Sequence, residues 1–171
     1  MDIANRHVVL IGMMGSGKTT CGHLLAKRLG WGFWDCDEAL LEATGSSAAE
    51  VQRSRGQGVL HQIEHRLVRN ASRTHSDTVF AAPGSVVLRP SVLKGALTVW
   101  LRASAVQEER NIARSGQQHR PLPEDPIAVL QQMSAARLPA YERLADITVD
   151  VASDPEVTCD RVMQALAATT K

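Results

Sequence analysis

Cysteine is too scarce and too scattered in this chain to build anything with. Cys21, Cys36 and Cys159 are an odd number, widely spaced and never in a C-x-x-C pair. That pattern argues against a disulfide framework and a zinc ribbon, and fits a reducing cytoplasm. An excess of one charge is missing too. The 19 Lys and Arg stand against 18 Asp and Glu, a formal net charge of +1. With no broad field, neither nucleic acid nor a membrane surface is an expected partner, and any anion site must be local. No apolar run approaches the ~18 residues of a membrane span, and residues 1–7 lack the apolar core of a signal peptide. A soluble, cytoplasmic protein is expected. There is no internal repeat and no low-complexity tail. At 171 residues the chain is the size of one α/β domain, and a monomer of one domain over residues 1–171 is expected.

What the chain does have is Gly12-Met13-Met14-Gly15-Ser16-Gly17-Lys18-Thr19, a match to G-x-x-x-x-G-K-[ST]. The apolar run His7-Val8-Val9-Leu10-Ile11 before it reads as a buried strand, and residues 21–29 after it read as a helix. The glycines let the backbone curl so that successive N–H groups converge on a phosphate, and the new helix adds the positive end of its dipole. Gly15, Ser16, Gly17, Lys18, Thr19 and Thr20 are therefore the candidate ATP-binding residues. Lys18 supplies a mobile cation for the β- and γ-phosphates, and the Thr19 hydroxyl is a hard oxygen suited to Mg²⁺.

Strand-like runs recur at residues 8–11, 32–35, 78–82, 98–101 and 146–151, with helical patterns between them. Such alternation implies parallel strands joined by crossover helices, a three-layer α/β sandwich. Ser47-Ala48-Ala49-Glu50 is a capping box, and Ser104 and Asp154 are placed to cap two later helices. Residues 115–125, SGQQHRPLPED, lack apolar periodicity and interrupt two helices. They read as a lid that closes over a site, or more plainly as a surface connection.

A phosphate loop alone does not distinguish a kinase from a nucleotide-hydrolysing switch. Asp35-Cys36-Asp37 follows the second strand, and ligands in open α/β sheets bind at the carboxyl ends of the strands. One carboxylate is suited to hold Mg²⁺ through water while the other accepts a proton from an attacking hydroxyl. The plainer reading makes Asp37 the cap of a helix starting at Glu38. Arg120 lies where lid closure brings it onto the transferring phosphoryl group. Arg114 at a helix end either stacks on an aromatic base or faces solvent. Arg137 precedes Pro139, where the helix is expected to break, and its guanidinium suits a carboxylate. His61-Gln62-Ile63-Glu64-His65 matches H-x-x-E-H, but without a third ligand the zinc reading is set aside, and His61 or Glu64 is expected to face the acceptor.

Taken together, these residues resemble the shikimate kinase family. The resemblance runs nearly end to end: residues 12–19, Asp35-x-Asp37, Thr44-Gly45 leading into the Ser47 box, Glu64, Arg120-Pro121-Leu122, Arg137-x-Pro139-x-Tyr141 and Ala145-Asp146-Ile147-Thr148-Val149. It implies a five-stranded parallel sheet in the order 2-3-1-4-5, an acceptor-binding helical region near residues 37–65 and a lid near 115–125. It also implies transfer of the ATP γ-phosphoryl to the 3-hydroxyl of shikimate. By the same resemblance Lys18, Asp37 and Arg120 are catalytic. Asp37, His61, Gly84 and Arg137 hold the acceptor, Thr19 and Asp35 serve Mg²⁺, and Arg114 and Pro155 flank the adenine.

Two departures from the family pattern fall on the acceptor side. Where the family has F-R-x-x-E this chain has Leu60-His61-Gln62-Ile63-Glu64, and where it has three glycines this chain has Pro83-Gly84-Ser85. A charge-assisted bidentate contact contributes about 1.5–3 kcal/mol. Its loss at His61 is expected to weaken carboxylate binding roughly ten- to a hundredfold. Three readings follow: a shikimate kinase with an atypical acceptor site, a kinase on the same scaffold acting on another hydroxy acid or polyol, and a non-catalytic nucleotide-binding module.

Overall fold

A computed structural model describes residues 7–115 and 125–169. Five strands, β1 (Val8–Ile11), β2 (Gly32–Asp35), β3 (Thr78–Ala81), β4 (Leu97–Arg102) and β5 (Ile147–Asp150), form one sheet in the order β2-β3-β1-β4-β5. Every pairing is parallel. Around them lie α1 (Lys18–Leu29), α2 (Cys36–Thr44), α3 (Ala48–Arg55), α4 (Gln57–Thr74), α5 (Ala105–Ser115), α6 (Pro126–Leu144) and α7 (Pro155–Thr169).

The period-2 alternation of the central strand explains the layering. Val8 and Leu10 face one side, where Val79, Val99 and Leu101 join Leu25 of α1 and Val162 and Leu166 of α7. Val9 and Ile11 face the other, where Phe80 and Trp100 meet Val68 of α4 and Leu130 and Tyr141 of α6. β1 is buried throughout, as a strand flanked by neighbours and covered on both faces must be. A smaller cluster of Leu40, Val51, Leu60 and Ile63 ties α2, α3 and α4 together beside the sheet.

The capping residues read from sequence are in place. Ser47 and Glu50 complete the capping box of α3, Ser104 Oγ accepts from the Gln107 N–H, and Asp154 Oδ1 accepts from the Glu156 N–H. Two helices differ from expectation. α1 begins at Lys18, directly after the left-handed Gly17, so the loop passes into the helix without a side-chain cap. α6 does not break at Pro139 but runs through it to Leu144. Its packing against the sheet, through Leu130 and the buried Tyr141, outweighs the ~3 kcal/mol cost of an internal proline.

Candidate active site

The sheet order sets β1 and β3 side by side, so the loops at their carboxyl ends open into one cleft of about 580 Å³. That volume lies within the ~300–1,000 Å³ of small-molecule sites. One end is the phosphate loop. Gly15 and Gly17 hold φ of 79° and 86°, left-handed values that favour glycine. Gly15 has a second constraint: a Cβ there would lie 2.4 Å from the Glu108 carbonyl oxygen. Asn111 Nδ2 donates to the Gly15 carbonyl at 2.8 Å and fixes the loop from below. Ser16, Thr20, Arg114 and Pro155 also line the cleft. Arg114 is exposed at its edge, and Pro155 opens α7 across from it.

Lys18 Nζ donates to the carbonyls of Gly12 at 3.0 Å and Met13 at 2.8 Å. Burial pushes its pKa below the ordinary lysine value, while the carboxylates of Asp37, Asp35 and Glu108 act to raise it. The ammonium is thus parked on neutral acceptors inside an acidic surround. A phosphate oxygen is a stronger acceptor than either carbonyl.

Beside Lys18, Asp35 connects the ends of two elements. Its Oδ2 accepts from Thr19 Oγ1 at 2.7 Å, and its Oδ1 accepts from the N–H groups of Asp37 at 2.8 Å and Glu38 at 3.4 Å. Asp35 is therefore the N-cap of α2. This corrects the reading of Asp37 as the cap: α2 starts at Cys36, which places Asp37 in its first turn. Asp37 is exposed and lines the cleft.

The opposite wall comes from the segment after β3 and from α4 and α6. Arg137 Nη1 donates to the Gly84 carbonyl at 3.2 Å and lies 3.9 Å from Met13 Sδ. A Cβ on Gly84 would come 2.9 Å from Nη1, so the guanidinium packs directly on a bare backbone. Ser85 Oγ donates to the buried Glu64 carboxylate, and His65 Nε2 donates to the Ser85 carbonyl at 2.9 Å. Of the predicted pair on α4, Glu64 lines the cleft. His61 is not among the residues lining it and stacks on His65, with ring centroids 6.3 Å apart. Arg120 and all but the two ends of the predicted lid at 115–125 lie outside the described residues.

Sequence reading missed a group beneath the loop. Glu108 is 1% exposed and burial pushes its carboxyl up to about 7, against the opposing pull of Lys18. Tyr141, pushed up to about 12 by burial, stacks flat on Trp100 at 5.4 Å. A signal for Glu108 was present: it shares the inward i, i+3, i+7 stripe of α5 with Ala105 and Ile112, both packed on the core.

A parallel sheet in this order, with a glycine-curled loop, a lysine at its helix start and a hydroxyl–carboxylate pair beside it, is the arrangement of a P-loop nucleotide-binding domain. The comparisons narrow the class. The family model described as shikimate kinase matches residues 14–167. The shikimate kinase of Synechococcus elongatus is 35% identical over 169 residues, covering 95% of this chain and 87% of that protein. That of Mycobacterium avium is 40% identical over 147 residues, covering 83% and 82%. The solved structure of a shikimate kinase from Acinetobacter baumannii in complex with shikimate superposes with a TM-score of 0.88 at 22% identity, covering 96% and 94%. The chain belongs to the shikimate kinase family, a group of ATP-using kinases that phosphorylate an alcohol.

Proposed function

We propose that the chain is a shikimate kinase, moving the γ-phosphoryl of ATP to the 3-hydroxyl of shikimate. The observation that carries this reading is the pair of opposed groups across one cleft. Asp37 stands beside the phosphate loop, and Arg137 lies on Gly84 on the facing wall. An acceptor with a carboxylate at one end and a hydroxyl at the other spans that gap, its carboxylate on Arg137 and its hydroxyl toward Asp37. The relatives named shikimate kinase support the same acceptor.

In this reading Lys18 leaves the Gly12 and Met13 carbonyls for the β- and γ-phosphates, and Asp37 orients the acceptor hydroxyl and takes its proton as the phosphoryl group arrives. Arg114 and Pro155 flank the adenine, Thr20 adds a loop contact, and Arg120 meets the phosphates. Thr19 and Asp35 fit Mg²⁺ by donor chemistry, since they bring a hydroxyl and a carboxylate oxygen together at 2.7 Å. The ion when bound supplies positive charge beside the β- and γ-phosphates.

Coupled ADP release with ATP and Mg²⁺, run across shikimate, quinate and gluconate, tests the reading. Turnover with shikimate far above the others is expected. Turnover only with another acceptor refutes the substrate and keeps the kinase, whereas nucleotide binding without turnover on any acceptor refutes both.

A further inference from the structure

Glu108 has no part in the reaction described above, yet its main chain packs against the phosphate loop and its side chain is buried. It is 1% exposed, and its Oε2 is buried without a hydrogen-bond partner among the described residues. An ionised carboxylate so placed has given up the water at that oxygen with no donor to replace it. The main chain of the same residue touches the loop: the Glu108 carbonyl is the atom that a Cβ on Gly15 would strike. One turn on, Asn111 holds the Gly15 carbonyl. Among the described residues, the charged and titratable groups that act on Glu108 are Lys18, at the start of α1, and Tyr141, from α6. Tyr141 is a neutral phenol near pH 7, so among the described residues the cation that favours an ionised Glu108 is Lys18.

We propose that Glu108 is a positioning residue that takes up a proton when the loop takes up a nucleoside di- or triphosphate, so that nucleotide affinity falls as pH rises above neutrality. The inference rests on the nucleotide reading proposed above. Its balance is simple: a carboxylate and a proton from solvent become a neutral carboxylic acid, and no bond to the nucleotide forms or breaks. Two effects push the same way. The phosphates add negative charge above a buried carboxylate, and they draw off Lys18, its compensating cation.

The sign follows from the free protein, where burial holds the Glu108 carboxyl at about 7. Bound nucleotide raises that value further. Between the two values the complex carries a proton that the free protein lacks, so affinity falls by up to ~tenfold per pH unit across the window.

Calorimetric titration of the full chain with MgADP slightly above neutral pH, in buffers of differing ionisation enthalpy, reads the proton directly. The apparent binding enthalpy is expected to vary with buffer enthalpy in the direction of uptake, by up to one proton per nucleotide. In Glu108→Gln, neutral at every pH, that dependence is expected to disappear and alkaline affinity to rise. Titration of the nucleotide's own phosphate is common to both proteins and cancels in the difference. If the variant does not fold, infrared difference spectra of the wild-type chain with labelled glutamate replace it, and a new carboxylic-acid carbonyl band on nucleotide addition is expected. Binding with a buffer-independent enthalpy in the wild type, an undiminished dependence in Glu108→Gln, or spectra without the new band overturns the proposal and leaves nucleotide binding standing. Absence of any nucleotide binding overturns that reading and this one together.

Discussion

Asp37 and Ser85 both line the cleft, and their substitutions separate chemistry from scaffolding. Asp37→Asn keeps the size and removes the carboxylate proposed as the base. It is expected to lower kcat by about 10²–10⁴ in coupled ADP release while nucleotide affinity, read by calorimetry, stays within twofold. Ser85→Ala acts on stability instead, because it strips the hydroxyl from the buried Glu64 carboxylate. Urea unfolding should show a loss of about 1–3 kcal/mol. His61→Arg tests the departure on α4. If an arginine there reaches the acceptor carboxylate, KM for shikimate falls roughly ten- to a hundredfold with kcat little changed. An unchanged KM would remove position 61 from acceptor binding. The loop residues Gly15, Lys18 and Thr19 were legible because their spacing encodes a fixed local geometry. The place of Asp35 beside the loop was legible but not its role as the cap of α2, because either acid of D-x-D satisfies a capping pattern. Glu108 was not read although its place on the apolar stripe of α5 is written in the sequence, because one charge on such a stripe does not say which element covers it.

Among the elements, α1 joins the loop to the sheet and fits so closely that one methyl decides its stability. Gly22 lies against Phe33 of β2, and a Cβ there would come 2.4 Å from the ring. Helix propensity alone predicts that Gly22→Ala stabilises the protein by up to ~1 kcal/mol. The contact reverses the sign, and a net loss of about 1–3 kcal/mol is expected in urea unfolding. The strands were legible within a residue at each end because β1 alternates between two apolar faces and the others follow its period. The helix ends were uneven. Those of α3, α5 and α7 carry Ser47, Ser104 and Asp154 as written signals. The start of α1 carries none, because left-handed Gly17 takes the place of a capping side chain. Pro139 misleads for the opposite reason: a strong local stop signal is overridden by the packing of α6 on the sheet.

Across the whole molecule, Glu108 makes stability depend on pH in an uncommon direction. Its carboxyl sits at about 7 in the folded chain against an ordinary 4.5, so the folded state binds more protons than the unfolded state between those values. The group contributes fully below about pH 4.5 and its contribution is lost as pH rises through about 7, by up to roughly 3 kcal/mol. The Glu108→Gln variant is expected to flatten this slope and to unfold at higher urea than wild type near pH 8, in unfolding series taken without nucleotide. A wild-type slope retained in the variant would assign it to other groups.

The place of β1 has a consequence for synthesis. Val8 pairs with Val79 on one side and with Leu97 on the other, so β1 waits for residues far along the chain on both sides, and its second neighbour, β4, is the later of the two. Long-range parallel pairing of this kind closes late and slowly. The phosphate loop is therefore translated early but held in shape late, and the nascent chain carries its nucleotide grip unformed until β4 arrives.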